Sequence, residues 1–240
     1  MEALPLFVLP MVLMPGEVQE LRIFEPRYRQ MLDDCLLDEK NFGLVLNDPF
    51  EPINSWDGPR QHGCEVEIIH HETKGSNHFI QIVGRRRFTV RKVIAPALPP
   101  MSDPMFEDHL NEEGLLPDLQ TLLECIPEDV GHSKLYISGE VEYHALDESL
   151  SIELQEILKE ILNHVLTRIG IVLRIEVQML AQWIQERVEH AVDENPESVY
   201  TVSALVLSEL EAKQQILACD TLEEAVEELV HQASMIEEEE

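Results

Sequence analysis

Cysteine is sparse and unpaired in pattern: Cys35, Cys64, Cys125 and Cys219 include no CxxC spacing. That excludes a sequence-evident disulfide framework or zinc knuckle, and leaves four reduced, mostly buried thiols as the expectation. No run of about 18 uncharged apolar residues occurs, so a spanning helix is not expected. The start Met1-Glu2-Ala3-Leu4-Pro5 lacks the basic region of a signal peptide, and a cytoplasmic location is expected. No GxxxxGK[ST] phosphate loop and no G-x-S-x-G nucleophile turn appear, so neither a nucleotide cradle nor a serine hydrolase site is assigned. The expectation is a chain without catalytic residues, cofactor or metal.

Positive charge is scarce as well. Lys and Arg number 17 against 47 Asp and Glu, for a net charge of -30. Such a surface disfavours nucleic acid and anionic membrane as partners. The shortage is uneven. Residues 1–100 hold 11 basic and 14 acidic residues, whereas residues 101–240 hold 6 and 33. Two regions of different architecture follow.

What is present is a hydrophobic fraction of 44% in 240 residues, enough for a sizeable core. The first half carries short runs of strand character. Leu4–Leu13 is almost wholly apolar and ends at Pro15-Gly16, and Val18–Phe24 alternates. Pro26 starts a helix whose apolar residues Tyr28, Met31, Leu32, Cys35 and Leu36 recur at three and four. Phe42–Leu46 reads as a strand, Asp48–Gly63 as a Pro/Gly-rich loop, and Cys64–His70, Phe79–Val83 and Phe88–Ile94 as further strands, with a turn at Gly75-Ser76-Asn77. Five or six short strands with one early helix suggest a small bent sheet or barrel.

The second half is helical by pattern. Leu150, Leu154, Ile157, Leu158, Ile161, Val165 and Ile169 form one stripe, with Gly170 placed as its C-cap, and a second stripe runs from Leu173 to Val192. The two helices could form a hairpin or one kinked rod. Ser208 with Glu211 and Thr221 with Glu224 read as capping boxes heading two shorter helices, and Glu237–Glu240 reads as a frayed acidic end. Four prolines between Ala95 and Pro104 mark the connector. The expected division is a β domain over 1–97, a Pro-rich connector over 98–112 and an acidic helical region over 113–240.

Leu4-Pro5-Leu6-Phe7, Pro15-Gly16, Ile23-Phe24-Glu25-Pro26-Arg27-Tyr28, Phe42-Gly43-Leu44-Val45-Leu46 and Gly84-x-x-Arg87-Phe88, in that order, closely resemble the Lon protease N-terminal (substrate-binding) domain. The resemblance implies an α+β fold, a PUA-like β pseudobarrel followed by a C-terminal helical bundle, in a stand-alone member without ATPase or protease domains. It marks Pro15, Gly16, Phe24, Glu25, Pro26, Arg27, Tyr28, Gly84, Arg87 and Phe88 as family-motif positions. It also implies a non-catalytic module binding unfolded or partner polypeptides, with a separate protease as a candidate partner.

Other features compete for attention. PUA-like folds include RNA binders, so Arg85-Arg86-Arg87 with Arg91 and Lys92 forms an alternative RNA-facing patch; strand alternation would send Arg85 and Arg87 one way and Arg86 the other. His62, Cys64, His70, His71 and His78 lie close in sequence, but opposite strand faces separate His70 from His71, so exposed histidines are expected rather than ligands. Met11, Met14, Met31, Met101 and Met105, with Phe7, Phe24 and Phe106, would offer adaptable apolar surface wherever they are not core.

Overall fold

The computed structural model describes residues 3–75, 77–109, 119–145 and 149–238. Ser76 of the expected turn, residues 110–112 at the end of the connector with 113–118 at the start of the helical region, and Glu239 and Glu240 lie outside them.

The chain runs β1 (Leu4–Leu9), β2 (Val18–Ile23), α1 (Pro26–Asp38), β3 (Phe42–Ile53), β4 (Trp56–Lys74) and β5 (Asn77–Ile94). A 3-10 turn (Pro104–His109), α2 (Leu119–Glu124) and β6 (Ser138–Tyr143) follow. The helices α3 (Ile152–Val172), α4 (Val177–Ala191), α5 (Glu197–Val206), α6 (Leu210–Ala218) and α7 (Leu222–Glu238) complete it. The architecture is the expected α+β one, a mixed six-stranded sheet followed by a helical region.

The sheet order is β2-β5-β4-β3-β1-β6, with β6 also pairing β5. Five strands therefore close into a ring, in which β1 and β3 run parallel, while β2 hangs on the N-terminal half of β5 outside it. Three strands are longer than expected. The Asp48–Gly63 stretch read as a loop is instead the arm of a hairpin, because Asn54 and Ser55 take the left-handed turn conformation with φ 48° and 64°. Phe79–Val83 and Phe88–Ile94 are one strand, since the intervening Arg85 and Arg86 sit in a bulge opposite Glu65 rather than in a turn. Leu4–Leu13 is strand only to Leu9.

The sheet also reaches past residue 97. Its sixth strand, Ser138–Tyr143, lies in the stretch expected to be helical, and it completes the ring by pairing Leu4↔Gly139 on one side and Val90↔Val141 on the other. The connector packs on the β3–β4 hairpin, with the Trp56 indole donating to Leu98 O at 2.9 Å and Asn54 Nδ2 to Pro96 O at 3.0 Å.

Two larger apolar cores organise the molecule. One fills the space between α1 and the sheet with Phe7, Ile23, Met31, Leu32, Phe42, Val66 and Ile82. The other is the centre of the helical bundle, built on Leu158, Leu162, Tyr200, Ile216 and Leu229, and it includes Val12, Met14 and Leu46 from the β part. Barrel and bundle thus share one core rather than merely touching.

α3 and α4 form a hairpin, tied at its base by the Leu150 amide donating to Glu194 O at 2.9 Å. Gly170 does not end α3. The helix stops in a Schellman motif two residues later, with Arg174 at φ 55° and its amide and that of Ile175 donating to Ile171 O and Gly170 O. Gly170 serves packing instead: a Cβ there would stand 2.2 Å from Leu180 Cδ1. The Thr221–Glu224 capping box forms, with the Glu224 amide donating to Thr221 Oγ1 at 3.2 Å and the Thr221 amide to Glu224 Oε2 at 3.4 Å. The Ser208 box does not, because α6 starts at Leu210 with Glu209 as N-cap.

Candidate functional site

The family-motif residues fall in three separate places, and all but the exposed Phe24 sit in contacts that shape the fold. Pro26 occupies the first turn of α1, and the Tyr28 hydroxyl donates to Val8 O at 2.7 Å, fastening α1 to β1. Arg27 lies between the Tyr28 and Trp56 rings, 4.1 and 3.7 Å from their centroids, and pairs with Glu25 at 2.9 Å. Phe24, just before the helix, is 60% exposed. Pro15 and Gly16 turn the chain into β2, with Gly16 at φ 78°, and Gly84 lets the Met14 carbonyl approach where a Cβ would be 2.1 Å from it. Phe88 is fully buried among the ring strands.

Arg87 joins the two halves. The bulge opposite Glu65 breaks strand alternation, so Arg85 and Arg86 both face solvent and Arg87 turns inward at 2% exposure. Its Nη1 donates to Leu217 O at 3.0 Å and to Cys219 O, placing a cation on the carbonyl end of α6 where the helix dipole favours it. Around it, Thr89 Oγ1 lies 2.7 Å from His144 Nε2 and 3.3 Å from His62 Nδ1. Burial, and then the charge of Arg87 with the other imidazole, holds His62 below the ordinary histidine value; burial and Arg87 do the same to His144.

The remaining cations of the basic patch are already partnered. Arg85 pairs with Glu67 at 2.7 Å, Arg86 with both oxygens of Glu65 at 2.7 and 3.0 Å, and Lys92 with Glu140 at 2.7 Å. Arg91 donates to Glu142 at 2.6 Å. With Arg87 buried, this surface presents alternating ion pairs, which is the wrong field for a phosphate backbone.

Nucleophile and metal chemistry find little support in the geometry. Burial pushes the Cys35 and Cys64 thiols up to about 12, away from the thiolate form. His71 Nε2 and His78 Nδ1 face each other at 2.9 Å, but His70 is exposed and Cys64 buried. Among the described residues no group of three or more His, Cys, Asp or Glu converges as a metal site.

The apolar surface is concentrated elsewhere than the Met and Phe residues suggested. Met14, Met31, Phe7 and Phe106 are core. The α3–α4 hairpin instead projects as an arm whose end exposes Ile171 (66%), Val172 (79%), Leu173 (66%) and Val177 (79%). At the arm's base lies a cleft of about 510 Å³ between α3, α4, α5 and the Gly16-Glu17 turn. Leu162, Leu166, Trp183, Ala204 and Leu205 give it an apolar lining, and Arg187, Glu17 and Glu197 stand among them. Leu162 and Leu166 share a face of α3 with Ile169 and Leu173 nearer the exposed tip, and Ile169 itself lines a second apolar groove of about 600 Å³ with Val165, Val206 and Val230. A larger trough of about 880 Å³ between α3 and α4 is open and bordered by Glu156, Lys159, Glu160 and Glu189, a poorer place to bury apolar groups. Exposed contiguous apolar surface of this kind marks interaction sites. The sequence stripes pointed to α3 and α4 as amphipathic, but the cleft needs α5 and the Gly16 turn from elsewhere in the chain, which no local pattern shows. Among the described residues no helix is long and apolar enough to cross a membrane.

Comparison with known proteins gives this geometry a context. The sequence model of the ATP-dependent protease La (LON) substrate-binding domain matches residues 3–233. The Lon N-terminal domain protein from Xanthomonas campestris is similar in structure, with a TM-score of 0.57 and 20% identity over 96% of this chain and 98% of its own. The N-terminal domain of Mycobacterium avium complex Lon protease gives a TM-score of 0.59 and 15% identity over 97% and 98%. Among the curated proteins none matches the chain.

Proposed function

The chain belongs to the family of ATP-dependent protease La (LON) substrate-binding domains, and we propose that it is a non-catalytic recognition module that binds unfolded polypeptide segments in the cleft at the base of its arm. The observation that carries this reading is the apolar cleft at the base of a hairpin whose tip exposes Ile171, Val172, Leu173 and Val177. A folded protein hides its apolar side chains; an unfolded segment offers them one after another, and an apolar cleft near an exposed apolar tip accepts them without demanding a sequence. Apolar burial at about 25 cal/mol per Å², less the cost of ordering the bound segment, gives weak binding on the order of micromolar. A separate protease as the receiver of the bound chain fits the family description but needs no residue of this site.

Trp183 supplies the assay, since Trp56 is the only other tryptophan and is held between Arg27 and the Leu98 carbonyl. In a Trp56→Phe background, titration with a reduced, carboxymethylated model protein is expected to change Trp183 emission, and the same protein in its folded form is not. Equal responses to both forms, or to neither, would remove the basis of the proposal.

A further inference from the structure

We infer that the free edge of β2 receives part of the bound polypeptide as an added β-strand, so that recognition uses the substrate's backbone as well as its apolar side chains. This rests on the polypeptide-recognition reading and states how that site continues beyond the cleft.

The ring β1-β3-β4-β5-β6 leaves its own strands paired on both sides along the barrel, but among the described residues β2 pairs only with β5. Its outward backbone groups follow from the register. The Gly84 amide donates to Glu17 O at 2.9 Å, and two-residue alternation then makes Gln19, Leu21 and Ile23 the residues bonded to Ile82, Ile80 and His78. The amides and carbonyls of Val18, Glu20 and Arg22 consequently point away from β5. One local contact competes, the exposed Gln19 Nε2 donating to Glu20 O at 3.0 Å, and an incoming amide can replace it.

Sheet edges are normally guarded by bulges, prolines, short strands or charged side chains, lysine above all. Another open edge among the described residues, the distal part of β4, has a bulge at Ile69 and carries His70, Glu72 and Lys74. β2 has no bulge in its pairing with β5 and neither proline nor lysine, and the charges on its exposed face are one of each sign, Glu20 and Arg22, the latter already donating to Asn77. Its exposed face carries Val18 at one end and Phe24 at the other, 49% and 60% exposed, with Phe79 alongside on β5. Gly16 and Glu17, which line the cleft, lead directly into β2, so a segment leaving the cleft meets this edge. The half of the chain bearing β2 is also nearly balanced in charge, unlike the helical half. The occupant that fits is an extended, proline-free segment with alternating apolar residues, bound in the manner of strand addition to a sheet edge.

The test uses a fluorescein-labelled Val-Thr repeat peptide and two versions of it, N-methylated on one or the other set of alternate amides, titrated by anisotropy into the full chain. Methylation in one phase is expected to weaken binding at least tenfold while the other phase leaves it unchanged, because only one row of amides faces β2. Glu20→Pro is expected to give a similar loss, and because the Glu20 amide points outward its ladder to β5 and its unfolding temperature are retained. If both methylated peptides bind like the parent while Trp183→Ala weakens all three, the strand-addition inference is wrong and the cleft reading stands. If none of the peptides and no unfolded protein binds, the recognition reading itself fails, and the inference with it.

Discussion

Cutting the chain after Ala97, where the proline-rich connector begins, removes β6 and the whole bundle from a barrel that needs both. The fragment would lose Leu135, Tyr136 and Ile137, exposed 4%, 1% and 1% in the intact protein, together with the strand that bridges β1 to β5. Burying a large apolar side chain is worth about 1.5–3 kcal/mol, so these three alone account for roughly 5–9 kcal/mol. Val12, Met14 and Leu46 would lose the bundle that covers them, and Arg87 would keep a buried position without Leu217 O and Cys219 O. Stripping the partner from a buried charge costs a further 3–5 kcal/mol or so. Together these losses, roughly 8–14 kcal/mol, are comparable with the whole of a typical domain stability of about 5–15 kcal/mol. Thermal unfolding followed by circular dichroism should show no cooperative transition for residues 1–97, while the full chain melts in one step. A soluble 1–97 fragment with a transition within a few degrees of the full chain would refute the reasoning, and would make the β part a domain that stands alone.

Further outcomes follow from single sites. Arg87→Met, which removes the cation from the end of α6 while keeping an apolar stem, is expected to destabilise by about 2–4 kcal/mol in urea titration, with Arg87→Lys recovering part of the loss. Gly170→Ala forces a methyl against Leu180 and should loosen the arm by about 1–3 kcal/mol, seen as faster amide exchange in α3 and α4 but not in the ring strands. His62 and His144 are held below the ordinary value of 6.5, so below it the unfolded chain takes up protons that the folded one refuses. Stability should therefore fall as pH drops through and below about 6.5, and His62→Gln with His144→Gln should flatten that slope in a series of urea midpoints.

How far the fold was legible depended on whether the signal was local. Pro26 with the Tyr28, Met31, Leu32, Cys35 spacing located α1 closely, and the stripe from Leu150 to Ile169 located α3, because three-and-four periodicity is carried within one element. The long strands were cut short because their interruptions are bulges: Arg85-Arg86 opposite Glu65 resembles a polar turn in sequence, and only the partner strand reveals that pairing resumes at Arg87. The same bulge buried Arg87 against simple alternation. β6 was missed because a six-residue strand between helices is defined by what it closes, β1 and β5, and not by its own composition. Gly170 looked like a stop signal, yet its role is the close approach of Leu180, while the left-handed residue that ends α3 is Arg174, a residue type carrying no such cue. The cleft was beyond local reading for a similar reason, since Trp183, Leu205 and Gly16 meet only after folding.

The most direct test of polypeptide recognition at the cleft is photo-crosslinking from a benzoylphenylalanine placed at Leu205, a cleft residue 60% exposed, with Glu227 on the exposed face of α7 as the control position. With a carboxymethylated, unfolded model protein present, the Leu205 probe is expected to form an adduct that excess unlabelled unfolded protein competes away, the Glu227 probe is not, and the folded form of the same protein gives neither. Adducts of equal yield from both positions, or none from Leu205 at concentrations well above the micromolar range, would contradict the assignment.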